Sequence, residues 1–254
     1  MRLGDISVRK KLLTAFFLMS LVVGYVGWSG HHGIIDIIKS SSLIDADTEM
    51  QVAVRGEGQI IMELIAARQI NRLEEIWKQH LQLIKHFEIF SDAVLSGRRT
   101  TSGITYATND KSIKDIVRHA REIYMNQYIL NIEKIYTLKK NSIPSGLNNN
   151  KLQESLRELD QKTDSTEKRL LELIGGVGDR AKKKMASTVR SVMFQALAGT
   201  AFAATMAIGM GLFLSAKIAG PLGQAVAFAQ MVTSGNLVER LDIRQKDEIG
   251  ILAD

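Results

Sequence analysis

Two stretches of the chain contain no charged residue, and each is long enough to cross a bilayer. The first runs from Leu12 to Trp28 and the second from Val192 to Ala216. At about 1.5 Å of rise per residue, the first reaches about 25 Å, at the short end for a hydrocarbon core of ~30 Å. The second is longer and can span with some tilt. The pattern therefore predicts two transmembrane helices, over residues 12–28 and 192–216.

The second apolar stretch carries small residues at every fourth position. On a helix this spacing places them on one face, where another helix can approach closely. One interpretation is a packing face, and the other is that alanine and glycine are simply common in membrane helices. The four residues are Gly199, Ala203, Ala207 and Gly211.

Basic residues flank the first apolar stretch unequally. Arg2, Arg9, Lys10 and Lys11 precede it, whereas only Lys39 follows soon after. The positive-inside rule therefore predicts that residues 1–11 form a cytoplasmic tail, with the lysines extending to the headgroups. Residues 29–191 are then periplasmic or otherwise extracytoplasmic, and the C-terminus is cytoplasmic. This is the topology of a multi-pass protein of the inner (plasma) membrane.

Two observations favour other readings, one of the first apolar stretch and one of the topology. The basic start and the first apolar stretch also fit a cleaved signal peptide, although the sequence SGHHG after Trp28 makes a poor cleavage site. A basic cluster between Arg180 and Arg190 would lie outside the cytoplasm, but long translocated segments largely escape the rule. We therefore expect an uncleaved anchor.

The segment between the two apolar stretches has apolar residues at helical spacing and almost no strand alternation. We predict helices to about residue 68, from 71 to about 95, from 110 to 138, and from about 151 onward, the last entering the second span. Asn71 with Glu74 resembles a capping arrangement. Loops are predicted at 97–108 and 141–150, which are rich in Gly, Ser, Thr and Asn. The expected fold is all-α, with an up-down-up-down four-helix bundle between the two transmembrane helices.

Composition excludes several functions. The chain has no cysteine, hence no disulfide and no thiolate chemistry. The net charge of +6 and pI near 9.4 are those of many nucleic-acid-binding proteins. The charges, however, are mixed along the middle of the chain and absent from the two apolar stretches, so we expect no nucleic-acid partner.

No pattern in the chain predicts catalysis, a cofactor or a metal site. The five histidines lack metal-ligand spacing and are expected at the surface or at an interface. The glycines at 175, 176 and 178 follow no strand, so they predict a flexible point in a helix rather than a phosphate loop. We therefore expect that the protein is not an enzyme.

One candidate ligand site interrupts the apolar stripe of the first helix. Thr48, Gln51 and Arg55 are spaced three and four residues apart. An arginine at a bundle or dimer interface can pair with a ligand carboxylate. A solvated helix face is the alternative interpretation.

The chain after the second apolar stretch, residues 217–254, contains an ordered series of motifs. Apolar residues from Ile218 to Val232 have the spacing of a short coiled coil, which predicts a parallel partner helix. A proline stands in the first turn of this helix, a Gly-Asn-Leu turn ends it, and an Asp-Glu-Ile-Gly motif opens a second helix. The motif residues are Pro221, Leu222, Gly235, Leu237, Asp247, Glu248 and Gly250.

This series closely resembles the HAMP domain, a parallel four-helix bundle made by two subunits. The resemblance implies a homodimer in which Glu248 couples the second helix to the first near Pro221. The segments KLLTAFFLMSLVVGYVG and MELIAARQINRLEEIWKQHLQLIKHFEIFSDAVLSG are similar to bacterial methyl-accepting chemotaxis proteins and their four-helix-bundle sensors. Such receptors continue into a cytoplasmic signalling hairpin, whereas this sequence ends at Asp254, early in the second HAMP helix.

The resemblance implies the sensory and membrane part of a chemotaxis receptor. Its expected partners are the lipid bilayer, a second copy through the sensor and HAMP helices, and a small extracellular ligand. In the full-length receptor, a chemotaxis kinase and a coupling protein would follow. Two alternatives are the input half of a HAMP-containing sensor histidine kinase and a membrane-anchored structural or adaptor bundle.

Overall fold

The computed structural model describes residues 6–145, 150–235, 241, 243 and 245–253. Its elements are α1 (Val8–Ala66), α2 (Ile70–Ser96), β1 (Arg98–Thr100), β2 (Gly103–Thr105), α3 (Lys111–Ile123), α4 (Leu130–Ser145), α5 (Asn150–Leu214), α6 (Gly220–Thr233) and α7 (Glu248–Ala253). Two π-helical segments, Tyr124–Ile129 and Ser215–Ala219, join α3 to α4 and α5 to α6. The protein is all-α in class, as predicted.

Contacts divide the chain into two compact units. The core unit is Ile34–Val189, and the terminal unit combines Met1–Gly33 with Arg190–Asp254. Helices α1 and α5 each continue without a break from one unit into the other. The expectation that the fourth helix enters the second apolar stretch without interruption is confirmed.

A single apolar core holds the core unit together. Helices α1, α2, α3, α4 and α5 all contribute to it, because each has apolar residues recurring on one face. Its largest fully buried side chains include Phe87, Phe90, Tyr124 and Tyr128. The helices are therefore fixed by tertiary packing rather than by helix propensity alone.

The connections differ from the sequence expectation in three places. The predicted loop at 97–108 contains an antiparallel hairpin of β1 and β2, which positive φ angles at Gly97 and Gly103 allow. Helix α2 starts after Gln69 without a side-chain cap, so the capping role of Asn71 was wrong. Helix α4 continues through Pro144, because a proline this close to the helix end frees only one backbone carbonyl. Residues 146–149 of the predicted break lie outside the described part.

The terminal unit contains both apolar stretches. Helix α1 and the helical segment from Asn150 to Thr233 are long and apolar enough to cross a membrane. Their large apolar side chains are exposed, with Phe16 at 69% and Phe194 at 71%. This exposure is what a surface facing lipid requires.

Helix α3 offers a test of local stability in the core unit. The Asp110 carboxylate caps it by accepting hydrogen bonds from the backbone N–H groups of Ser112 (2.9 Å) and Ile113 (3.4 Å). We expect Asp110→Ala to lower the free energy of unfolding by about 1 kcal/mol. Chemical denaturation of the full chain in micelles measures this, with Asp115→Ala on the exposed face as the control. Because the Asp115–Arg118 pair is exposed, the control should lose less than about 0.5 kcal/mol. Equal losses for both variants would contradict the cap.

Candidate functional site

A buried polar layer crosses the core unit. We define it as Glu57 of α1, His80 of α2, Tyr124 and Tyr128 of the first π-helical segment, and Glu167 of α5. Glu57, His80 and both tyrosines are fully buried, whereas Glu167 is half-buried. The layer thus joins the helices of the core through side-chain polar groups.

Hydrogen bonds connect the members of the layer in two groups. The Glu57 carboxylate lies 2.6 Å from His80 Nδ1 and accepts a bond from the Tyr124 hydroxyl at 3.3 Å. The Tyr128 hydroxyl lies 3.2 Å from Glu167 Oε2 and 3.3 Å from the Val54 carbonyl oxygen. Buried carboxylates need such partners to replace their lost hydration.

The π-helical segment is what aims both tyrosines into the core. A π segment inserts one extra residue into a helical turn and is frequent at functional sites. Here it places Tyr124 against Phe87, with ring centroids 3.9 Å apart, and brings Tyr128 to α5. Through these two tyrosines the segment donates hydrogen bonds to Glu57 and Glu167.

The environment shifts the protonation of the layer. Burial raises the pKa of Glu57, and the hydrogen bond from His80 opposes this only in part. Burial also raises the pKa of Glu167, against the hydrogen bond from Tyr128 and the nearby charge of Arg55. Both tyrosines have a raised pKa because of burial and the neighbouring carboxylates. These shifts favour the neutral forms of the two carboxyl groups and the two tyrosines.

His80 was expected at the surface or at an interface, and the structure instead buries it in the core of the described chain. Its ring is fully buried, lies 4.4 Å from the Trp77 ring, and has no partner for Nε2 among the described residues. The signal that could have identified it is its position: it falls on the α2 stripe between Ile76 and Phe87. Glu57 similarly falls on the stripe of α1, between Val54 and Ile61. A polar residue at a core position of a helical repeat indicates a buried polar network.

The predicted ligand residues lie beside this layer. Gln51 donates to Asp47 Oδ2 at 3.1 Å and accepts from Arg55 at 3.3 Å. Asp47 is only 4% exposed, and burial raises its pKa. Thr48, by contrast, is exposed and donates to the Ile44 carbonyl of its own helix. The structure thus joins Gln51 and Arg55 in a polar seam along α1, without Thr48.

The Asp-Glu-Ile-Gly motif lies in the terminal unit, where it contacts the start of α1. Asp247 accepts hydrogen bonds from the backbone N–H groups of Ile249 and Gly250, both at 3.2 Å, and so caps α7. It also pairs with Lys11 Nζ at 2.6 Å, where both side chains are buried. Burial alone would raise the pKa of Asp247, but the Lys11 and backbone hydrogen bonds hold it below its usual range.

Lys11 therefore does not extend to the headgroups as expected, because Asp247 offers it a buried partner. Glu248 is the first residue of α7, and its carboxylate accepts from the Val8 backbone N–H at 2.8 Å. Its coupling to Pro221 stays a prediction. The contacts with Val8 and Lys11 join residues some 240 positions apart along the chain, so no local pattern predicts them.

The other motif residues of this region have the following places. Pro221 stands in the first turn of α6, as predicted, and Gly235 has a φ of 88° just after the helix. Leu222 is 45% exposed and lines an apolar groove of about 490 Å³ with Val226, Val232 and Leu252. Leu237 lies outside the described residues.

Among the small residues of the second apolar stretch, Gly199 lies in close contact with α1. A Cβ on Gly199 would lie 2.6 Å from Val26 Cγ2, so this glycine permits close helix contact. Ala203 is half-buried, whereas Ala207 and Gly211 are exposed. A partner at those two positions stays a prediction. Elsewhere in the described ranges, no three His, Asp or Glu residues converge as metal ligands.

The pH dependence of stability tests the polar layer. A carboxyl whose pKa is raised in the folded state stabilises the fold fully below its unfolded pKa, about 4.5, and loses this contribution as the pH rises through the folded pKa. We therefore expect Glu57→Gln and the wild type to unfold at similar temperatures near pH 4.5, and the variant to gain relative stability as the pH rises. Thermal unfolding of both full chains across this range measures the difference. The exposed Glu133→Gln controls for loss of a surface charge, and a pH-independent difference for Glu57→Gln would contradict the assignment.

The glycine of the motif gives a second test. A methyl group on Gly250 would lie 2.6 Å from the Gln245 carbonyl carbon, so α7 would have to move off Asp247. We expect Gly250→Ala to destabilise α7 by about 1–3 kcal/mol and to speed amide exchange in Ile249–Ala253 about tenfold or more. Hydrogen-exchange mass spectrometry measures this. Gly223→Ala is the matched control, because nothing lies within 4 Å of the added methyl group. Unchanged exchange in the first variant would show that the glycine is not required.

Comparison with known proteins adds no assignment to this geometry. No family model matches the chain, and no curated protein matches it. The chemotaxis-receptor resemblance therefore stays a prediction from the motifs.

Proposed function

We propose that this chain is the input side of a transmembrane signal transducer of the methyl-accepting chemotaxis type. In this proposal, residues 29–191 form an extracytoplasmic four-helix-bundle sensor between spans at 12–28 and 192–216. Residues 217–254 begin a HAMP domain. The observation that carries the proposal is the continuity of α1 and α5 from the apolar stretches into the core unit.

Continuous helices suit this role for a mechanical reason. A helix has a fixed rise per residue, so a shift of α5 in the core unit moves its apolar stretch with it. A relay of this kind needs two packings of similar energy rather than a catalytic centre. The polar layer and the polar seam along α1 are where two such packings would differ in hydrogen bonding.

The contacts of the Asp-Glu-Ile-Gly motif also support the proposal. Asp247 and Glu248 hold the start of α1 through Lys11 and Val8. The motif therefore connects the short α7 to the same helix that leads into the sensor.

The exposed apolar face of α6 supports a homodimer. Leu222 and Val226 are 45% and 53% exposed beside the apolar groove. A second copy of this helix, packed in parallel, would remove this surface from water. In the full receptor, the kinase and coupling protein would act beyond Asp254, and a small ligand would act on the sensor, with Arg55 and Gln51 as candidate contacts.

Membrane topology is the first test of the proposal. The chain has no native cysteine, so single cysteines can be introduced at the exposed positions Lys183 and Gln224. We expect a membrane-impermeant maleimide to label Lys183→Cys in intact bacterial cells, and Gln224→Cys only after lysis. The cysteine-free chain is the control. Labelling of both sites, or of Gln224→Cys alone, in intact cells would contradict the topology.

Signalling is the second part of the test. The chain is joined at Asp254 to the cytoplasmic hairpin of a chemoreceptor in a strain without receptors. Kinase activity should differ between Gly250→Ala and the matched Gly223→Ala. Correct topology with no effect on kinase activity would instead favour an anchored structural bundle.

A further inference from the structure

Asp47 of α1 contacts α5 at Gly178, a residue without a side chain. A Cβ on Gly178 would overlap the Asp47 carboxylate, with its Cγ only 2.8 Å away. Gly178 is buried in a continuous helix, so the glycine serves close contact rather than the flexibility expected from the sequence. Asp47 Oδ1 has no hydrogen-bond partner in the described part of the chain, whereas the carboxylate accepts hydrogen bonds from the Gln51 amide and from the Gly178 backbone N–H.

The same kind of contact recurs with the roles exchanged. A Cβ on Gly58 of α1 would lie 2.6 Å from Glu167 Oε2 of α5. The first contact therefore places a carboxylate of α1 against a glycine of α5, and the second places a carboxylate of α5 against a glycine of α1. Each helix thus supplies one carboxylate and one glycine.

The two contacts have equal spacing on the two helices. Asp47 and Gly58 are 11 residues apart on α1, and Glu167 and Gly178 are 11 residues apart on α5. Eleven residues are about three helical turns, or about 16 Å, so the two contacts share one face of each helix. Both contacts form together in a single antiparallel register of α5 against α1.

We propose that these two reciprocal carboxylate–glycine contacts lock the axial register of α5 against α1, and that a second register lies one turn away. The sequence provides for the second register. Three residues before Gly178 stands Gly175, and three residues before Glu167 stands Asp164. A slide of α5 by about 4.5 Å in the direction of Leu214, with a rotation of about 60° about its own axis, would bring Gly175 against Asp47 and Asp164 against Gly58.

Charged and polar groups of both helices also act on Asp47. Lys182 and Asp179 of α5 act on it with opposite sign, Gln51 donates to it from its own helix, and the Gly178 backbone N–H donates to it across the contact. Alanine keeps this backbone N–H, so Gly178→Ala changes the steric contact alone. That the slide carries a signal rests on the proposed function, whereas the lock itself rests on the contacts alone.

Distance measurements between spin labels on the full chain test the lock. Val52 and Met62 of α1 and Gln161 and Glu172 of α5 are exposed and can carry labels on cysteines. In the observed register, measured along the axis of α1, Gln161 lies on the Ala66 side of Val52. Glu172 lies on the Val8 side of Met62. A slide toward Leu214 therefore shortens the 52–161 distance and lengthens the 62–172 distance. Separation or unfolding of the helices cannot produce these opposite changes.

Three glycine variants distinguish the two registers. Gly178→Ala blocks the contact of Asp47 with residue 178, which defines the observed register. We therefore expect the two distances to change in opposite directions by roughly 3–4 Å. Gly175→Ala blocks only the contact of Asp47 with residue 175 in the second register. In the observed register its methyl group fits, because it would lie 3.8 Å from Gln51 Nε2. It should leave both distances unchanged. Gly176→Ala, whose methyl group would lie 3.9 Å from Ile116 Cδ1, is the matched control.

A double variant guards against a merely unfolded chain. Asp47→Ala removes the carboxylate, so Asp47→Ala combined with Gly178→Ala should restore the wild-type distances. Unchanged distances in Gly178→Ala, or changes of the same sign in both label pairs, would overturn the lock. A register shift without any change of kinase activity in the fused receptor would leave the lock standing and contradict its part in signalling.

Discussion

The core unit depends on the burial of two carboxylates among apolar side chains. Removing a carboxylate from water costs several kcal/mol unless hydrogen bonds or a counter-charge replace its hydration. Glu57 obtains His80 and Tyr124, and Tyr124 reaches it from a π-helical turn. Asp47 accepts hydrogen bonds from the Gln51 amide and the Gly178 backbone N–H, and Gly178 has no side chain that would exclude it. Within the apolar core, α2, the π segment and α5 each place a polar group of this kind against α1.

The two kinds of contact between α1 and α5 respond differently to motion. A hydrogen bond such as Tyr128 to Glu167 weakens gradually as the helices move. A carboxylate against a glycine is steric, because the next residue with a side chain cannot enter the same space. Packed interfaces of this kind are bistable rather than continuously deformable. The combination suits a helix pair that changes between discrete registers.

Helical periodicity predicted the all-α class and the unbroken α5, because these depend on patterns within one segment. The hairpin at β1 and β2 was missed because three-residue strands give too few alternations to detect. Gln51 and Arg55 were predicted from their spacing on α1, but Asp47, Glu57 and Glu167 were not. Those carboxylates gain their roles from partners on other helices, and only the placement of Glu57 on an apolar stripe gave a local signal.

The ion pair between Lys11 and Asp247 has a practical consequence for expression of this protein. Affinity tags are commonly added at an N-terminus on the assumption that the first residues are dispensable. Here the backbone of Val8 and the side chain of Lys11 are bound by α7. A deletion that removes Lys11 would leave Asp247 buried without this counter-charge. Protein purified in that form would have an altered α7, at the opposite end of the chain from the deletion.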